Sequence, residues 1–463
     1  MFRLLRSLFG SPAPADKPNP PAVKLNITET SRGKLVEGII PETLTVSPDS
    51  RRVVYVAGRG EKMFVVIDDV QGKEYDDIER PLATAFRDTL VFSPDSKRFA
   101  YAAKRGKKWV VVVDGVEGKE YDRAWSLVFS PDSKRVAYGA KREEKSFVVI
   151  DGAEGKEYGL APRIVFSPDS QRCAYVAAVE RRWFMVVDGV EGKEYDDIDG
   201  DTLVFSPDSK RFAYAAKRRG CQFVVVDDME GKEYDWAGGL IFSPDSKRLA
   251  YAAGDEYKSH VVVDEYKRKA YDAITRGSLV FSPDSKHLAY AAGDRMWDKV
   301  VVDADEGMGY EHDGIYAKIP VFSPDSKRVA YRVRHGDKLL VVVDRVEGKE
   351  YDSISSDSLV FSPDSKRVAY AGEHGDKEVA VIDGKEGKEY RAVEPPVFSP
   401  DSKRVAYVAR TGEHRFVVVD GVESKEYDKI AHQIPLVFDS PTKLHTLMFR
   451  GVQIFLVEIE IME

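Results

Sequence analysis

LVFSPDSKRVAYGAKREEKSFVVIDGAEGKEY, residues Leu127 to Tyr158, is the stretch whose reading decides the fold, because the chain repeats it with small changes almost from end to end. Its Ser-Pro-Asp-Ser core begins at Ser47, Ser93, Ser130, Ser167, Ser206, Ser243, Ser282, Ser323, Ser362 and Ser399, at steps of 37 to 41 residues after a first step of 46. A fixed period near 40 identifies a repeat architecture before any local pattern is read. Within the unit four short runs read as strands separated by turn signals. Strand A is Leu127–Phe129, B is Arg135–Ala140, C is Phe147–Ile150, and D surrounds Glu157–Tyr158. Ser130-Pro131-Asp132-Ser133 joins A to B: proline presets the backbone angle at the second turn position, and Ser and Asp side chains bond nearby amides. Asp-Gly and Glu-Gly pairs turn C into D.

Tight turns between successive strands make each repeat an antiparallel meander. Strand C is apolar at successive positions, FVVI here and WVVVV at Trp109–Val113. Both of its faces are therefore buried, and each sheet lies between two others. Short meanders stacked face to face predict an all-β chain, a β-propeller of four-stranded antiparallel blades. The ends of the chain predict how it closes. Gly33-Lys34 precedes Ser47 by the same fourteen residues that separate Gly348-Lys349 from Ser362, so Lys34–Ile39 is expected as a strand D without its A, B and C. Pro435–Phe438, Leu444–Phe449 and Gln453–Ile461 read as A, B and C without a D. Joining the fragments gives about eleven blades in one ring and removes two sheet edges. Val23–Thr28 is read as a further outer strand. An open superhelix and two abutting rings are the alternatives. The domain organisation is residues 1–22 as an amphipathic segment with a Pro-rich spacer, and 23–463 as a single propeller.

The motif SPDSKRVAY followed by VVVVDG resembles the SPDGK-type blades of TolB-like and WD-type β-propellers, over roughly residues 33 to 463. The resemblance implies the fold and is nearly silent on function. Ser96, Ser133 and Ser170 stand where that family usually has Gly. Prolyl-oligopeptidase-like enzymes join such a ring to a hydrolase domain, but the chain has no Gly-x-Ser-x-Gly elbow.

Composition limits the partners. With 70 basic and 78 acidic residues the net charge is −8, which gives no electrostatic reason to expect nucleic acid. Two cysteines, Cys173 and Cys221, sit at different points of their repeats, so no disulfide framework is indicated and both are read as core packing. That usage points to the cytoplasm; export is the alternative, if residues 1–15 act as a signal. MFRLLRSLFG, residues 1–10, spaces its apolar residues helically around Arg3 and Arg6 and offers at most a weak contact with a membrane surface or partner.

The aspartate that closes strand C recurs in ten units, among them Asp68, Asp114, Asp151 and Asp188. So many copies cannot mark one catalytic centre, and it is read as a turn residue bonding the amide that follows it. The tyrosines of the B strands are read as packing between blades, and those of the D strands as outer-rim packing. A–B and C–D turns leave the sheets at one end, B–C and D–A loops at the other. Most variation in length and sequence falls at the second end, and loops on a rigid scaffold commonly carry recognition. Its candidate partner-binding residues are Asp197, Asp199 and Asp201 in one loop and His312, Asp313 and Tyr316 in another. The three aspartates have the alternate spacing that opens calcium loops, without the closing Glu. His335, His374 and His414 occupy B–C loops of consecutive repeats, too far apart for one zinc. No metal, cofactor or catalytic residue is expected. Between Asp264 and Pro320 the pattern breaks, and Lys267, Arg268 and Lys269 form a basic spot suited to an acidic partner. The expected function is a monomeric, non-enzymatic protein-interaction scaffold; the alternative is a small-molecule, glycan or cation binder at the channel mouth.

Overall fold

The computed structural model describes residues 23–79, 90–160, 163–294, 297–307, 309–311, 319–428 and 434–462. All regular structure in them is strand, and no helix is long and apolar enough to cross a membrane. The strands pair antiparallel into ten hydrogen-bonded sheets among the described residues, most of them built from one repeat. In the third repeat Arg123–Phe129, Val136–Arg142, Lys145–Ile150 and Ala153–Glu154 lie side by side in chain order. These are the expected strands A to D, with A longer than its apolar core. Strand A is bulged: its register against B shifts between Trp125 and Val128. In the fifth repeat Thr202 fills the equivalent gap, its hydroxyl accepting the Ala215 N–H at 2.8 Å.

The last sheet joins the chain ends, and here the expectation needs correction. The strand that pairs with Gln453–Met462 is Lys24–Lys34, in a register running from Lys24 opposite Met462 to Lys34 opposite Gln453. Lys34–Ile39 is not a strand D; residues 35–38 link the closing strand to Ile39–Val46, the strand A of the first repeat. Alternation explains the choice. Leu25 and Ile27 turn inward onto the core that holds Leu444, Val457 and Ile459, a face that LVEGII cannot present in the same register.

Each sheet packs on the next. Val111 and Ala102 of the second repeat share a core with Tyr121, Leu127, Tyr138 and Phe147, and Val176 and Met185 of the fourth share one with Tyr195, Phe212 and Tyr214. Val53, Tyr55 and Phe64 of the first repeat pack with Leu447, Phe449, Ile454 and Leu456 of the terminal strands.

The repeated polar residues form the seams. Between the second and third repeats, Ser93 Oγ donates to Asp95 Oδ1 at 2.6 Å and accepts the Arg98 N–H at 2.9 Å, which closes the turn. The Asp95 N–H then crosses to Ser133 Oγ of the next repeat, 2.9 Å. Ser133 holds φ at 65°, in the left-handed region that favours glycine. The departure from the SPDGK pattern thus has a physical cause: glycine would adopt that angle without strain, but only serine offers the acceptor. Arg98 Nε bonds Asp114 Oδ2 at 2.8 Å, its Nη1 reaches the carbonyls of Ser133 and Lys134, and its guanidinium lies over Phe129. Asp114 takes the Phe99 N–H at 2.9 Å, so the strand-C aspartate caps strand B and anchors the arginine rather than serving the amide after it. The strand-D tyrosines also belong to the seam. Tyr121 meets Tyr138 edge-on at 6.1 Å, and its hydroxyl donates to Glu154. On the outer edge Lys119 reaches the same Glu154 at 3.2 Å, one rung in a series that includes Lys73–Glu117, Lys156–Glu191 and Lys388–Glu423.

Candidate functional site

With the repeated side chains engaged in seams, the residues that differ from repeat to repeat define the candidate site. They gather at the end bearing the B–C and D–A loops. Asp197, Asp199 and Asp201 lie on Asp197–Phe205, where strand A enters its bulge. They do not converge. Asp197 Oδ1 accepts the Ile198 N–H at 2.9 Å, Asp199 Oδ1 accepts the Asp201 N–H at 3.0 Å, and Asp201 pairs outward with Arg163. Among the described residues no group of three metal-ligating side chains assembles. Asp199 instead faces Arg276 at 3.4 Å, a residue of the seventh repeat. In the sixth repeat Gly239, φ 65°, lies close to the seventh, and a Cβ there would come within 3.9 Å of the Gly277 N. His312, Asp313 and Tyr316 lie outside the described residues.

The loop histidines stay apart, each with its own carboxylate: His335 with Glu350 at 2.8 Å, His374 with Glu386 at 3.1 Å and His414 with Glu426 at 3.8 Å. Cys173 is buried, and burial pushes its thiol up to about 12, so it is inert at neutral pH. Cys221 is only partly buried at the start of its strand, which corrects its reading as core.

A second group escapes sequence reading. In repeats eight to ten, charged side chains are wholly or partly buried against the neighbouring repeat. Arg332 stands where other repeats have Ala102 or Ala371; its Nη1 donates to the Ile354 carbonyl of the next repeat, and its Nε has no hydrogen-bond partner. Glu378 takes the Val393 N–H of the following repeat at 2.7 Å. Arg415, almost wholly buried, pairs with Glu394. Burial pushes both glutamates above the ordinary carboxylate range, against the pull of the Val393 N–H on Glu378 and of Arg415 on Glu394. Raised carboxylates are the usual material of general acids. Here each already holds a partner, and the arrangement positions inner strands against their neighbours. The signal in the sequence was substitution by column at Arg332, where the other repeats keep Ala, Gly or Val; Glu378 and Arg415 share a column with Gln222 and Asp298, and Glu394 one with Glu79 and Asp199, so their columns carry no such signal.

No family model matches the chain, and no curated protein does. Among solved structures, a eukaryotic initiation factor aligns over 88% of this chain and 98% of its own with 12% identity and a TM-score of 0.41. The Niastella koreensis GH74 enzyme aligns over 89% of this chain and 75% of its own with 12% identity and a TM-score of 0.29. At these values neither likeness carries an argument about activity or partners. The chain is an all-β protein of repeated four-stranded antiparallel sheets.

Proposed function

We propose that the chain is a non-enzymatic interaction scaffold, one closed β-propeller of eleven blades that presents its B–C and D–A loops to protein partners. The observation that carries the reading is the division of labour between the two ends. Repeated side chains at the turn end are taken up in bonds between sheets, whereas at the other end non-repeated ones such as Arg276 and Asp201 stay largely exposed even where they pair with Asp199 and Arg163. The ring is supported by the core shared between the first repeat and the terminal strands, which makes each sheet a neighbour of two others. Recognition rides on loops held by such a frame.

The test uses the full chain, a chain of residues 23–463, and a variant whose loop from Asp196 to Thr202 is replaced by the sequence of the ninth repeat, Asp352 to Ser358. Each is used to capture proteins from the source extract, membranes included. A set retained by the first two and lost by the third supports recognition on the loops. Retention by the full chain alone places it in residues 1–22 and overturns the reading. Class averages in negative-stain microscopy count the blades, and any number other than eleven, or an open ring, overturns the architecture.

A further inference from the structure

The outer edge of the molecule is a ladder with one rung that does not match. In a regular seam, the strand-D glutamate sits between two cations: Glu230 is held by Arg218 of its own repeat at 2.7 Å and by Lys193 of the preceding repeat at 3.5 Å. The sixth repeat inverts its own pair. Asp255 stands in the place of the arginine and Lys267 in the place of the glutamate, 2.6 Å apart. The internal pairing survives, but Lys232 of the fifth repeat now faces an ammonium group where every regular rung supplies a carboxylate.

The consequences are visible around Tyr234. The Nζ atoms of Lys232 and Lys267 both lie over its ring, 5.6 and 4.8 Å from the centroid. The proximity of Lys267 depresses the Lys232 ammonium below its usual range. Among the described residues no carboxylate is bonded to Lys232, and the Tyr234 hydroxyl lacks the glutamate that Tyr121 and Tyr271 find in their neighbours. Beneath the ring His260 replaces the phenylalanine of other repeats. It is 4% exposed, its ring lies 5.5 Å from that of Tyr234, and its Nε2 has no hydrogen-bond partner. Two apolar side chains flank the rung at the same position of their strands, Met229 at 69% exposure and Tyr266 at 78%.

We propose that the rim between the fifth and sixth repeats docks an acidic peptide segment of a partner protein, one carboxylate of which occupies the place of the missing rim glutamate between Lys232 and Lys267. Exposed Met229 and Tyr266 contact an apolar residue next to the acid in the partner. The apolar flanks favour a peptide over a bare anion, which would need no such contacts. The site lies on the outer rim, away from the variable loops, so its failure would leave the scaffold reading untouched, and the converse holds.

The experiment titrates the full chain into a labelled peptide alternating Glu and Leu and follows fluorescence anisotropy at low salt. Lys267→Glu gives Lys232 the carboxylate of a regular rung and breaks only the solvated Lys267–Asp255 pair, a loss small enough for the variant to fold, and it is expected to weaken binding about tenfold or more by filling the place and reversing its charge. Lys327→Glu, an exposed turn lysine far along the chain, makes the same charge change and is expected to leave binding within about twofold. Equal binding by wild type and Lys267→Glu overturns the proposal. So does equal weakening by both variants, which would report net charge alone. A peptide alternating Glu and Gly is expected to bind more weakly; if it binds equally well, or if inorganic phosphate at the same concentration displaces either peptide completely, the site is a plain anion site and the peptide assignment falls.

Discussion

Two seams of this molecule do the same job with different chemistry. Between the second and third repeats the turn residues make the joint: Asp95 donates to Ser133, and Arg98 reaches across to the carbonyls of Ser133 and Lys134. Between the terminal strands and the first repeat no Ser-Pro-Asp-Ser precedes Ser50, and its buried hydroxyl has no partner. In its place a set found once in the chain takes over. His445, buried, bonds the Asp49 carbonyl at 2.7 Å through Nε2 and Asp439 at 2.7 Å through Nδ1, while Arg51 pairs with Asp439 at 2.9 Å. The strength of this end lies in strand pairing, nine residue pairs along Lys24–Lys34. Ordinary seams are therefore side-chain joints alone, whereas the terminal sheet adds to its side-chain joint with the first repeat a backbone pairing of the two chain ends.

The sharpest way to break that contrast is to begin the chain at Leu35. Losing nine ladder pairs, each worth about 0.5–1.5 kcal/mol net, exposes the edge of Gln453–Met462 as well. The expected result is loss of roughly 5 kcal/mol or more by denaturant titration, with aggregation on heating. An unchanged midpoint would show that the closing strand is dispensable.

Next in size is Asp114→Ala. It leaves the Arg98 guanidinium without its anion and the Phe99 N–H without an acceptor, for an expected cost of about 2–3 kcal/mol. Because Arg98 and Asp114 are partly solvated, the hydrogen bond to the backbone should dominate that loss.

The comparison is cleanest at a single hydroxyl. Ser133→Ala and Ser50→Ala place the same methyl group at left-handed angles, 65° and 54°, so backbone strain nearly cancels between them. Only Ser133 loses a partner. Ser133→Ala is expected to be less stable than Ser50→Ala by about 1–2 kcal/mol, and equality would mean that the Asp95 bond contributes nothing.

The smallest effect is a pH response of the regular seams. The Ser130 hydroxyl and then the Lys134 N–H hold Asp132 below the usual carboxylate range, and its counterparts in other turns are held down in the same way. Arg142, with Lys119 beside it, brings Glu154 to about 2. Folded values below unfolded ones mean stability that is present above the unfolded pKa and is lost as pH falls through the folded one. The melting temperature should therefore decline from about pH 4.5 towards pH 2. Glu154→Gln should flatten its share of the decline, and a melting temperature constant over that window would contradict the assignment.

Much of this was legible in the residues, for reasons that also mark where legibility stops. A turn built from Ser, Pro and Asp announces itself locally, and a doubly buried strand announces its two neighbours. The closing strand was misplaced because Gly33-Lys34 copies the spacing of the VEGKEY strands, whereas pairing is decided by which face meets the core, and Leu25 and Ile27 supply that face. The strand-C aspartate was understood as an acceptor but given the wrong donor, since the strand-B amide lies fifteen residues back in the chain and is adjacent only in the sheet. Arg332, Glu378 and Arg415 went unread because a single charge in a loop-rich repeat looks solvated until the neighbouring sheet is in place. Of the candidate partner-binding residues, the three aspartates prove to be separately engaged.

The seam between ordinary repeats has a direction: each repeat extends an amide and an arginine forward and offers a serine hydroxyl and two carbonyls backward. A stretch of gene one period long thus encodes both halves of the joint. Copied in tandem, it would arrive able to bind the neighbour before it and the neighbour after it, with no new contact to invent. The His445–Asp439–Arg51 set, by contrast, joins the last sheet to the first and is not carried by the repeat, so every added or lost period must be accommodated by how that joint bends.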